Sequence, residues 1–71
     1  MSYSLGEALP REMARVRDEV MPAYQHPALA GAGAFALIGM RRDLDDAARA
    51  LAEGDVVAML RVYQSLKEWH T

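Results

Sequence analysis

An all-α fold, a small three-helix up-down-up bundle with a long central helix, is what this chain predicts. Three observations carry that expectation. Apolar residues recur at three- and four-residue spacings over three separate stretches. The breaks between them, at His26-Pro27 and Gly54-Asp55, are short, which makes consecutive helices antiparallel neighbours. The second half of the middle stretch separates into an apolar and a charged face at 100° per residue. The expected helices span about residues 9–25, 27–53 and 55–69 of a single 71-residue domain.

Residues 1–8 show no periodicity, and Gly6 argues against a helix there, so they read as a flexible tail that Tyr3 and Leu5 could pin down. In the first helix Pro10 suits the first helical position, where its missing N–H is of no consequence. Leu9, Met13, Val16, Val20 and Tyr24 form one stripe. Arg11, Arg15, Asp18 and Glu19 take the opposite face, with Arg15 spaced to pair with Asp18 and Glu19. Pro22 removes a helical hydrogen bond, and because Tyr24 continues the stripe a kinked helix is expected rather than a stop. Pro27 can open the second helix.

The central stretch, Ala28 to Leu51, is the organising element. In its second half Leu37, Met40, Leu44, Ala47, Ala48 and Leu51 share one face. Arg42, Asp46, Arg49 and Glu53 lie opposite, linked at four-residue spacing. Extended backwards, the same wheel puts Ala28, Gly31, Phe35, Ile38 and Gly39 on the sector that is charged further along. The first half is therefore apolar on two sides. Glycines inside a helix each cost up to about 1 kcal/mol against alanine. Gly31, Gly33 and Gly39, with Ala28, Ala32 and Ala36, imply close approach of another helix, from this chain or from a second copy. Gly54 suits the residue after the helix, and Asp55 suits the N-cap of the third. There Val56, Met59, Leu60, Tyr63 and Leu66 form the expected buried stripe, widened by Val62 and Trp69, while Arg61, Gln64, Ser65 and Glu68 face water.

A chain this short buries only roughly 60% of its unfolded surface, and small domains supplement so thin a core with disulfides, a metal or oligomerisation. With no cysteine and two distant histidines, His26 and His70, the first two are not expected, which leaves oligomerisation. The net charge of −2 is spread evenly and offers no basic stripe for phosphate. The run from His26 to Met40 is uncharged but shorter than the about 20 residues a membrane span needs, and no secretory signal is visible at the N-terminus. A cytoplasmic location is the expectation. The cluster Asp43, Asp45, Asp46 diverges around the helix among Arg41, Arg42 and Arg49, which reads as a salt-bridged surface rather than a metal site. Gly31-Ala-Gly33 lacks the preceding strand and the third glycine of a dinucleotide loop. No catalytic, metal or cofactor site is expected.

The run AFALIGMRRDLDDAARALAEGDVVAMLRVYQSLKEW, residues 34–69, resembles short uncharacterised all-α proteins of bacterial genomes and prophages. That resemblance implies no activity or site residues. The function expected from the residues is a non-enzymatic interaction module, a homodimer or small oligomer. Its interface would comprise Ala28, Gly31, Ala32, Phe35, Ile38 and Gly39. The alternatives are an adaptor for a different protein, or a small nucleic-acid-binding regulator using Arg11, Arg15, Arg41 and Arg42.

Overall fold

Helix α1 opens earlier than the periodicity indicates. The computed structural model describes residues 4–26 and 30–70, and within it α1 begins at Leu5. Ser4 is the N-cap, in an extended conformation, and its carbonyl accepts from the N–H groups of Glu7 at 3.0 Å and Ala8 at 2.9 Å. Its hydroxyl donates to Glu7 Oε1 at 3.3 Å. Ser-x-x-Glu is the spacing of a capping box, although here the serine hydroxyl meets the glutamate rather than a backbone N–H. Residues 5–8 are thus helix, not tail, and Leu5 packs against the core. Pro10 consequently lies in the second turn, not at the first helical position. Its missing N–H leaves the carbonyl of Gly6 without a helical partner, at an exposed position that water can reach.

The remainder of α1 has a cause in Pro22. The helix runs as Leu5–Arg15, then a widened turn over Val16–Val20, then Met21–Tyr24. In the widened turn Met21 N–H donates to the carbonyl of Val16, five residues back. Pro22 cannot donate to Asp18 and its ring crowds that carbonyl; one extra residue in the preceding turn relieves the crowding. The chain therefore continues past the proline, as expected, and the distortion falls before it. Val20 and Met21, adjacent in sequence, are both buried as a result.

Helix α2 spans Ala30–Glu53 and α3 spans Val56–Lys67. The expected start of the central helix at Pro27, and the roles given to Tyr3 and Ala28, lie outside the described residues. The α2–α3 link closes as anticipated. Gly54 sits at φ +66°, its N–H donates to Leu51 O at 3.3 Å, and Asp55 N–H donates to Ala50 O at 3.1 Å. Those two bonds satisfy carbonyls the helix end would leave bare. Asp55 then caps α3 by accepting from Ala58 N–H at 3.1 Å.

Each helix packs against both others, giving the three-helix bundle. The core joins Leu9, Val16, Val20 and Met21 of α1 to Met40, Ala47 and Ala50 of α2 and Met59, Val62 and Leu66 of α3. Two expected faces are rotated. Ala48 is exposed and Ala50 buried. On α3, Val56 and Leu60 are 65% and 49% exposed, while Met59, Val62 and Leu66 point inward. Apolar residues cover a wide arc of α3, so its own pattern leaves the centre of the stripe open. The groove between α1 and α2 selects one part of that arc.

Candidate interaction surface on the central helix

The face of α2 turned away from α1 and α3 begins with small and apolar residues. Gly31, Ala32 and Ala34 are exposed. Phe35 is 81% and Ile38 66% exposed, the two most exposed large apolar side chains described. They lie three residues apart and so are neighbours on the helix surface. Burying a side chain of this size contributes about 1.5–3 kcal/mol. Together they form a small exposed apolar patch, and Val56, Val57 and Leu60 of α3, 65%, 63% and 49% exposed, form a second. Further along, the same side carries Arg41, Arg42, Asp45, Ala48, Arg49 and Ala52, all exposed.

Of the expected interface residues, the structure therefore brings Gly31, Ala32, Phe35 and Ile38 to the solvent face. Gly39 stands apart from them. A Cβ placed on it would come within 2.9 Å of the Trp69 ring, at Cζ2. Its small size serves close packing inside the bundle, one of the two explanations its position allowed.

A polar cluster holds that tryptophan, and the sequence pattern did not reveal it. Asp43 Oδ2 accepts from Trp69 Nε1 and from Ser65 Oγ, both at 2.7 Å. Asp43 is thus not the arginine-paired surface carboxylate expected of it, and Ser65 is half-buried with its hydroxyl turned to Asp43. A signal was present: Asp43 is three residues beyond Met40 and four before Ala47, both core, and Ser65 and Trp69 share one side at four-residue spacing. Arg15 is also reassigned. Its Nη2 donates to the carbonyls of Leu66 at 3.0 Å and Trp69 at 2.8 Å, and pairs with Glu12 at 3.1 Å. It ties α1 to the end of α3 instead of pairing with Asp18 and Glu19, and is not a freely presented cation. Asp18 pairs with Arg17 at 2.9 Å. That hydrogen bond holds the Asp18 carboxyl below the usual carboxylate range and raises Arg17.

A shallow cleft of about 430 Å³ runs between α2 and α3, lined by Asp46, Arg49, Glu53, Asp55 and Arg61 among others. Its carboxylates are largely engaged, Asp46 with Arg49 at 3.6 Å and Asp55 with the α3 cap. The ion pair expected between Arg42 and Asp46 is replaced by this one. Among the described residues no three His, Asp or Glu side chains converge as metal ligands, and no helix is long and apolar enough to cross a membrane.

Fold and surface together define a three-helix bundle whose central helix presents an apolar outer face over its first half. Set against known proteins, the chain matches no family model, no curated protein and no solved structure.

Proposed function

We propose that this protein is a non-enzymatic interaction module that self-associates as a homodimer through the apolar first half of α2. One observation carries the reading: Phe35 and Ile38 stand side by side in solvent on the helix that the rest of the bundle packs against. A domain of 71 residues has a small stability margin, and covering these side chains with a second copy adds burial that the described residues do not supply. Sedimentation equilibrium tests it. The wild-type chain is expected to show a concentration-dependent dimer mass, and Phe35→Asp or Ile38→Asp to sediment as a monomer with an unchanged helical circular dichroism spectrum. A wild-type monomer across the accessible concentration range would overturn the reading and leave the same surface to a different protein partner.

A further inference from the structure

Trp69 reaches α2 from beyond the end of a helix. Helix α3 stops at Lys67, and residues 68–70 continue as a short strap in which Glu68 and His70 are exposed and Trp69 is half-buried. Hydrogen bonds from both other helices hold it. Trp69 Nε1 donates to Asp43 Oδ2 at 2.7 Å, Arg15 Nη2 donates to the Trp69 carbonyl at 2.8 Å, and the Tyr24 hydroxyl donates to the His70 carbonyl at 3.1 Å. The last buried residue among those described is Leu66, which precedes the strap. Lifting the strap therefore breaks a few polar contacts and bares a partly buried indole, whereas unfolding the bundle exposes the whole core.

The slot beneath the indole does not depend on Trp69 for its shape. Its floor is the backbone of α2 at Gly39, where a Cβ would stand 2.9 Å from the ring. Asp43 stays oriented at one end, because Ser65 Oγ of α3 donates to the same carboxylate oxygen at 2.7 Å. Arg15 stays in place on the main-chain side, fixed by Glu12 at 3.1 Å and by the Leu66 carbonyl at 3.0 Å. An acceptor for a ring N–H, a flat floor for the ring and a cation for the carbonyl of the same residue are thus held by the bundle itself. Groups fixed in advance in this way bind with little ordering cost.

We propose that Gly39, Asp43 and Arg15 form a recognition slot for a tryptophan residue of another polypeptide segment, and that Trp69 is its displaceable internal ligand. The slot selects its occupant twice over. Asp43 requires an N–H at the edge of the ring, which phenylalanine lacks, and Arg15 requires a main-chain carbonyl, which a free aromatic molecule lacks. The slot lies apart from Phe35 and Ile38, so it stands or falls independently of self-association.

Two measurements test it. In the wild-type chain, hydrogen exchange followed by nuclear magnetic resonance is expected to give Trp69 Nε1–H a protection at least about tenfold lower than the amides of Met59 and Val62, and unchanged by low urea, the mark of a local opening. In Trp69→Ala the slot is vacant, and N-acetyl-tryptophanamide is expected to raise the urea midpoint as its concentration increases. The corresponding phenylalanine amide should give no rise, and adding Asp43→Ala should abolish the response. Exchange of Trp69 Nε1–H that follows urea with the same slope as the core amides means that the strap leaves only when the bundle unfolds, and overturns the proposal even where Trp69→Ala fails to fold. A folded Trp69→Ala that responds to neither amide, or equally to both, overturns the recognition.

Discussion

Replacing Gly39 with alanine sets two effects of opposite sign against each other, and the structure says which wins. Inside a helix the change alone stabilises by up to about 1 kcal/mol. The new methyl, however, would meet Trp69 Cζ2 at 2.9 Å and Cη2 at 3.0 Å, closer than carbon atoms tolerate. The ring is not free to swing away. Its Nε1 is held by Asp43 at 2.7 Å, and its backbone is held by Arg15 at the carbonyl and by Leu66 O, which accepts from Trp69 N–H at 3.1 Å. Overpacking of this kind costs about 1–3 kcal/mol, and a lost hydrogen bond to a charged acceptor about 1.5–3 kcal/mol. Gly39→Ala is therefore expected to destabilise the bundle by about 1–3 kcal/mol. Gly31→Ala is the control: within the chain nothing lies within 4 Å of a Cβ at that site, so stability is expected to rise, by less than the about 1 kcal/mol of a helix interior because Gly31 lies in the first described turn. Urea unfolding followed by far-ultraviolet circular dichroism gives both values, and the single tryptophan reports displacement of the ring. Equal stabilisation by the two substitutions would refute the claim that Gly39 is reserved for Trp69.

Arg15→Met should lose about 2 kcal/mol of stability in the same assay, because the carbonyls of Leu66 and Trp69 lose a charged donor; Arg15→Lys should recover only part of it, lacking the planar fork. Asp43→Ala leaves Trp69 Nε1 and Ser65 Oγ without their acceptor, so a loss of about 2 kcal/mol together with a shifted tryptophan emission maximum is expected. Gly54→Ala forces a left-handed φ of 66° on a residue with a Cβ, and thermal unfolding should show a penalty of about 1 kcal/mol. Asp55→Ala removes the α3 cap for a similar loss of about 1 kcal/mol. The two losses should add incompletely in the double variant, since both act on one link.

Local chemistry was sufficient for much of this molecule. The Gly54-Asp55 link has the same two roles in the sequence pattern and in the bundle, because left-handed backbone and N-capping depend on the identity of single residues. The α1 stripe holds at Leu9, Val16 and Val20 for the same kind of reason: four- and three-residue spacing puts them on one side whatever they pack against. The two-sided apolar start of the central helix was also visible, and Phe35 and Ile38 are indeed exposed. Even the early start of α1 was written in Ser4 and Glu7, a capping spacing that the glycine between them obscured.

What tertiary structure alone decided concerns long-range partners. Arg15 and Leu66 are 51 residues apart, and Asp43 and Trp69 are 26 apart. A helical wheel can place Asp43 beside the core positions Met40 and Ala47, but it cannot name the partner on another helix. The rotation of α3 onto Met59, Val62 and Leu66 is of the same origin. Its apolar arc is wider than the groove that receives it, so the shape of α1 and α2 chooses which part is buried. Periodicity determines which sides of a helix can be covered; only the packed neighbours determine which side is.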